Sequence, residues 1–205
     1  MIILCIAGRA GSGKDTVAKI LDEILTEQYH KRVLVAHYAD LVKYVAKTFF
    51  DWDEIKDEEG RTLLQHIGTD VVREMDENYW VRFIADMLKF FPDQWDFVLL
   101  PDFRFPNEFF YLSGYFLPES DVFSIQVVRD FPSTLTPEQQ AHVSETALNN
   151  FKFVFDYYID NNGTYEDLYK QMSSTFAPML IGRLNKDFIS LAYYSGEGET
   201  KWAIV

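Results

Sequence analysis

A chain of 205 residues with 48% hydrophobic and 25% charged side chains has the make-up of one soluble globule able to bury a full core. Its formal net charge of −13 argues against DNA, RNA and anionic membrane as partners, so an anionic ligand has to be drawn in by a few local cations and backbone dipoles. The single cysteine, Cys5, excludes an intrachain disulfide and reads as a buried thiol in a reducing compartment. No run has the length of a membrane span and the apolar start lacks a basic leader, so a cytoplasmic location is expected.

The six apolar residues Ile2 to Ala7 predict a buried strand that runs straight into Gly8-Arg9-Ala10-Gly11-Ser12-Gly13-Lys14-Asp15-Thr16. Val17, Ile20, Leu21, Ile24 and Leu25 then keep helical spacing and predict a helix ending near Tyr29-His30. Strand, glycine loop, lysine and helix in that order form a phosphate-binding P-loop in its confirming context. The glycines let the backbone take positive φ and turn its N–H groups inward, while the helix N-terminus adds partial positive charge. Gly8, Ala10, Gly11, Ser12, Gly13, Lys14, Asp15 and Thr16 are therefore expected to hold ATP, with Lys14 on the β- and γ-phosphates. An acid follows Lys14 and the hydroxyl comes one place later, so the pattern met is GxxGxGKxT rather than GxxxxGK[ST]. That form resembles the nucleotide loop of the adenylate kinase type and points to phosphorylation of a small molecule. The usual metal-ligating hydroxyl is displaced, so Mg²⁺ is expected to ride mainly on the phosphates, reached through water by Asp15 and Asp102.

Further along, 32–38 (RVLVAHY) reads as a second strand and 41–50 as a helix capped by Asp40, with Lys43 in its first turn. Helices are expected over about 61–73 and 79–91, the second with Trp80, Phe83, Ile84, Met87 and Leu88 on one face; together they form an insertion between strands. Strands follow at 95–101, 122–128 and 157–159, and Asn161-Asn162-Gly163 turns the chain into a helix from about 164 to 174. Strands alternating with helices predict an α/β fold, a doubly wound and mostly parallel five-stranded sheet carrying a helical insertion and a lid. Residues 1–178 form the expected domain. In the extension 179–205, residues 188–194 and 201–205 flank a glycine-rich turn and predict a terminal hairpin.

Asp102 and Arg104 follow a strand, at the carboxyl edge where open α/β sheets bind ligands. Asp102 either orients metal-bound water or caps a neighbouring segment; Arg104 either grips a phosphate with its forked guanidinium or pairs with Glu108 on the surface. Arg61, Gln65 and Thr69 advance by four and Arg73 continues the row, which makes an acceptor pocket of this stripe or an ordinary polar helix face. Trp80 stacks on a base or packs in a helix core, and Lys43 reaches an acceptor phosphate or solvent. Arg129 and the segment 131–145 are candidates for a lid that excludes water. His142, Ser144 and Glu145 lie too close in sequence to read as a triad, and the four histidines show no metal-ligand spacing.

Taken together, Gly13-Lys14-Asp15-Thr16, Leu64-Gln65-His66-Ile67-Gly68-Thr69-Asp70 with Arg61 and Arg73, Tyr79-Trp80-Val81, Pro101-Asp102-Phe103-Arg104 with Glu108, and His142-Val143-Ser144-Glu145 resemble the bacteriophage-type deoxynucleoside monophosphate kinases. The likeness runs over roughly residues 1–175 and extends more distantly to phosphomevalonate kinase. It implies transfer of the ATP γ-phosphate to a deoxynucleoside monophosphate, with Lys14, Asp102, Arg104 and Arg129 acting on the phosphates. Lys43, Arg61, Gln65, Asp70, Arg73, Trp80, Arg104 and Glu145 would then hold the acceptor. A kinase for another metabolite, of the phosphomevalonate or dephospho-coenzyme A type, and a nucleotide-binding regulatory ATPase are the competing readings. An aromatic content of 17% leaves room for a homodimer.

Overall fold

The computed structural model describes residues 1–116, 121–133, 135–185, 192–194 and 200–202. Five strands form one sheet in the order β2-β3-β1-β4-β5: β1 (Ile2–Ala7), β2 (Val33–Val35), β3 (Phe97–Leu100), β4 (Asp121–Val128) and β5 (Tyr157–Asp160). All the pairings are parallel, with Ile2 opposite Phe97 and Asp121, so the sheet is wholly rather than mostly parallel. β1 is buried along its whole length because both faces are covered. Ile2, Leu4 and Ile6 enter the core under α1 (Lys14–Glu23), whose last turns widen through Ile24–Gln28. Ile3, Cys5 and Ala7 point the other way, into a second core beneath α2 (Ala39–Phe50). The buried thiol of Cys5 is thus a core atom, and burial pushes its pKa well up.

The insertion consists of α3 (Glu58–Gln65), a widened turn His66–Val71, α4 (Val72–Met75) and α5 (Tyr79–Phe90). The buried face of α5 is Trp80, Val81, Ile84, Ala85 and Leu88. Phe83 and Met87, expected on that face, are exposed. The expected second strand is cut to three residues, because the chain turns at His37 into α2, which starts two residues before the predicted position. Asp40 therefore lies inside the first turn and does not cap it.

Periodicity assigned no element between β3 and β4, where the structure has α6 (Pro106–Phe116). The segment expected as a lid holds α7 (Pro137–Ala141), closed by a Thr136–Gln139 capping box, and the start of α8 (Val143–Asn150). After β5 come α9 (Tyr165–Gln171), a widened turn Met172–Phe176 and α10 (Ala177–Leu184). α10 runs across the expected boundary at 178, with Met179 and Leu180 buried in the core under α1, so residues 179–184 pack with the sheet domain. Of the terminal hairpin, Ala192–Tyr194 (β6) and Thr200–Trp202 (β7) pair antiparallel; 188–191, 195–199 and 203–205 lie outside the described residues. Among the described residues no helix is long and apolar enough to cross a membrane.

Candidate active site

Two segments meet at the carboxyl edge of the sheet. Gly8 to Gly13 leaves β1 as a tight loop in which Gly11 and Gly13 take φ of 84° and 92°, values that side-chain-bearing residues adopt at a cost. A Cβ on Gly13 would collide with the Asn161 amide, which reaches across from the end of β5 to donate to the Ser12 carbonyl at 2.8 Å. A Cβ on Gly11 would stand 2.9 Å from the Phe131 ring. Both glycines are thus required by conformation and by close neighbours. Lys14 opens α1 with its side chain mostly buried and its ammonium 3.7 Å from Asp15. Arg129 is exposed beyond β4, with its guanidinium 5.8 Å from the Phe131 ring; it therefore stands on the loop side of the edge.

The second segment comes after β3. Asp102 accepts from the backbone N–H of Tyr38 at 3.1 Å and of Ala39 at 2.8 Å, one on each carboxylate oxygen. It is the acid that caps α2, from 63 residues away, and it also lines a cleft at the sheet edge. Burial pushes its pKa up, against the pull of the Ala39 N–H, His37, the Tyr38 N–H and Arg104.

Between loop and cap sits His37, which sequence reasoning did not single out. Its Nε2 lies 3.3 Å from Asp15 and its Nδ1 3.5 Å from Asp40, so the ring ties the nucleotide loop to the first turn of α2. The His37 hydrogen bond, with Lys14 behind it, overcomes burial and lowers the Asp15 pKa to about 2. The same bond raises His37 against burial; Asp102 and Asp40 add to the rise and Lys43 opposes it. A raised folded pKa means that this tie contributes in full below the unfolded value of 6.5 and is lost as pH climbs through the higher folded value. An NMR titration of His37 is expected to give a midpoint above 6.5 that falls back in Asp15→Asn. A wild-type midpoint at or below 6.5 would rule the tie out.

Beside Tyr38, Ala39 and Asp102, residues of the insertion and of α7 and α8 line the same cleft. Arg61, Gln65, Thr69 and Arg73 all line it, so the predicted stripe does face one space, and Lys43, Arg104 and Glu145 join them. Val42, Leu64 and Leu135 supply apolar wall, and Gln139 a second amide. Lys56 also lines it, from the segment between α2 and α3, to which the sequence attached no expectation.

Four of the expected residues have other engagements. Trp80 is 2% exposed and gives its indole N–H to the Gly68 carbonyl at 2.8 Å, so it is a core residue forming part of the cleft floor and offers no free face for stacking on a base. Asp70 does not line the cleft; it accepts from His142 Nε2 at 3.2 Å. His142 Nδ1 meets Ser144 Oγ at 2.9 Å, so a row Asp70–His142–Ser144 links the insertion to the start of α8, while Glu145, the acid of the sequence cluster, pairs with Arg104 instead. Arg73 pairs with the fully buried Glu108 and lies 4.0 Å over the Phe105 ring. Glu108 takes the backbone N–H of Arg104 at 2.8 Å and of Phe105 at 3.1 Å, so Arg104 meets Glu108 through its main chain only. Its guanidinium instead bonds the Ser144 carbonyl at 3.1 Å and pairs with Glu145.

No group of three or more His, Cys, Asp or Glu side chains that could hold a metal occurs among the described residues. A divalent cation would fit here as a phosphate-borne ion, with Asp15 on the nucleotide loop and Asp102 in the cleft wall as acids that could bond its waters.

A family model described as deoxynucleotide monophosphate kinase matches residues 37–172, from His37 through the insertion and lid to the turn after α9. Among solved structures, Mycobacterium tuberculosis APS kinase in complex with AMPPNP and APS is 11% identical, over 84% of this chain and 95% of that one, with a TM-score of 0.48. A gluconokinase from Sinorhizobium meliloti is 12% identical, over 91% and 97%, with a TM-score of 0.45. No curated protein matches the sequence. Because the family model spans well over half of its length, the chain belongs to the deoxynucleotide monophosphate kinase family and is an ATP-dependent phosphotransferase.

Proposed function

We propose that the protein transfers the γ-phosphate of ATP to a deoxynucleoside 5′-monophosphate, giving the diphosphate and ADP. The observation that carries this reading is one cleft whose wall combines Lys43, Arg61 and Arg104 with apolar side chains and amides, next to a Lys14 loop that His37 ties through Asp15 to Asp40 of α2, the helix that Asp102 caps and that supplies part of the wall. Cations suit a phosphate, whereas Leu64, Gln65 and Gln139 suit the face and edge of a base. A phosphate monoester is already ionised, so no general base is needed and the work reduces to alignment and charge neutralisation. In this reading Lys14 moves with the transferred group. Arg104 has one nitrogen fixed by Ser144 and Glu145 and presents the rest of its fork to the phosphates. Arg129 and the lid helices close the loop side against water. Mg²⁺, when bound with ATP, neutralises and aligns the phosphate oxygens, and Asp102 and Asp15 are the acids that would hold its waters.

The test is an acceptor panel with the purified chain, labelled ATP and deoxynucleoside, ribonucleoside and non-nucleotide monophosphates. A labelled diphosphate from at least one deoxynucleotide supports the reading, and none from any of them overturns it. Arg104→Lys is expected to lower kcat/KM by about ten- to a hundredfold with the fold retained, because a point cation cannot reproduce a forked grip held at one end. Near-normal kinetics would leave Arg104 a partner of Glu145 alone.

A further inference from the structure

Lys56 enters the cleft from the connection between α2 and α3, a stretch with no helix or strand, yet the backbone on either side of it is fixed. Trp52, buried in the core, donates its indole N–H to the Ile55 carbonyl at 3.0 Å. Arg61 donates its Nε–H to the carbonyl of Lys56 itself at 3.0 Å. Asp57 caps α3, accepting from Gly60 N at 2.8 Å. Gly60 permits this close packing, since a Cβ there would run into the Ile55 carbonyl. Asp51 and Glu54 take φ of 53° and 71°, a conformation that residues with side chains keep only where the surroundings hold it. Lys47 pairs with Glu54 and helps to hold it.

A connection built in this way presents one side chain to the cleft, where the acids of the wall, Asp102, Glu108 and Glu145, are already engaged by the Ala39 N–H, Arg73 and Arg104. Lys43 and Arg61 line the same wall. Lys43 is neutralised by Asp40 at 2.7 Å, whereas Lys56 and Arg61 have no carboxylate partner among the described residues. Partial burial, then Lys43, Arg61 and Lys14, pull the Lys56 pKa below the usual lysine range, with Asp15 opposing them. Like charges gathered without counter-charge cost free energy in the free protein, and a bound dianion reverses that cost.

We infer that Lys56, flanked by Arg61 and Lys43, seats the phosphate of the acceptor and so selects a phosphate monoester over a neutral, hydroxyl-bearing acceptor. This deepens the phosphotransfer reading and rests on it for the chemical step, but the seat takes a monophosphate whether or not transfer ensues.

The experiment uses the whole chain and two readouts. Limited acylation of lysines, read by peptide mass spectrometry, is carried out alone and with each of the four common deoxynucleoside monophosphates, their parent nucleosides, or inorganic phosphate. Lys56 is expected to react faster than the exposed Lys19 in the free protein. A monophosphate or inorganic phosphate should slow Lys56 by about tenfold, and a nucleoside should not. In turnover, Lys56→Met should raise the KM for the acceptor by about ten- to a hundredfold while leaving that for ATP unchanged, and Lys56→Arg should restore most of the loss. Equal acylation with and without every phosphate, or an acceptor KM in Lys56→Met within about twofold of wild type, overturns the inference. Phosphate protection of Lys56 in a protein that phosphorylates no deoxynucleotide would sink the proposed function and leave the seat standing. Turnover without protection would do the reverse.

Discussion

Lys14→Ala is expected to reduce phosphoryl transfer by at least about a hundred- to a thousandfold while leaving the thermal transition within roughly 1 kcal/mol of wild type. The two halves of that expectation come from the same geometry. Lys14 begins α1 on a loop whose shape is set by main-chain and glycine constraints: the Ser12 N–H on the Arg9 carbonyl at 2.9 Å, the Asn161 amide on the Ser12 carbonyl, and two residues at positive φ. None of these uses the lysine side chain. Among the described residues its ammonium pairs with Asp15 alone, at 3.7 Å, and Asp15 is already held by His37. Removing the ammonium therefore takes nothing from the core and leaves the loop formed. The charge removed is the one mostly buried cation on the nucleotide loop, where it acts through less water than at the surface. Stopped-flow or labelled-phosphate assays check the first half and calorimetry the second. Turnover within about tenfold of wild type would take the loop out of the chemistry.

The contrast between this loop and the cleft shows what a sequence can reveal. Strand, glycines, lysine and helix are contiguous, so the signals that mark the loop lie within sixteen residues and Ile2 to Thr16 read as they fold, while the Asn161 and Phe131 contacts that close it come from distant segments. The row 61, 65, 69 and 73 was legible for a similar reason, since helical spacing is a local property and all four residues share the cleft. The rest of the site depends on contacts between distant segments. Asp102 was placed correctly at the end of β3, but its cap on α2 is decided by a meeting across 63 residues. Arg73 and Glu108 each stood among the candidate motifs, yet nothing in a spacing says that they pair with each other rather than Glu108 with the Arg104 side chain. Lys56 sits in DWDEIKDEEG, a mostly exposed stretch that carried no sequence expectation, and of its residues Lys56 alone lines the cleft, its neighbours held by the Trp52 and Gly60 contacts. α6 escaped because aromatic and aliphatic residues fall on all its sides, which blurs the periodicity that marks a helix. The exposed Phe83 and Met87 on α5 show the same limit from the other direction, for an apolar residue at helical spacing is not thereby buried.

Arg73→Met is expected to cost about 3–5 kcal/mol of folding stability at neutral pH, the largest loss foreseen for any single change in the cleft. Glu108 is 1% exposed and the Arg73 side chain 10%, so the pair is out of water. The carboxylate has three supports: the guanidinium and the two N–H groups of Arg104 and Phe105. Burial pushes Glu108 up in pKa, and Arg73 is the strongest influence holding it down. Methionine keeps most of the volume, so the loss comes from the charge left behind rather than from a cavity. The pH dependence gives the sign. With Arg73 gone, the folded pKa of Glu108 stands well above the unfolded value of about 4.5, so the penalty is complete above the folded pKa and shrinks as pH falls toward 4.5. Urea denaturation at pH 7 and pH 5 should show the variant recovering part of its deficit at the lower pH. Adding Glu108→Gln to Arg73→Met should recover stability at pH 7 as well, since no charge is then buried alone. Activity should fall with stability in the single variant, because the Glu108 carboxylate fixes the main chain that aims Arg104 at the cleft. A deficit under about 1 kcal/mol, or one that does not change between the two pH values, would show that Arg73 and Glu108 are not coupled as a buried pair.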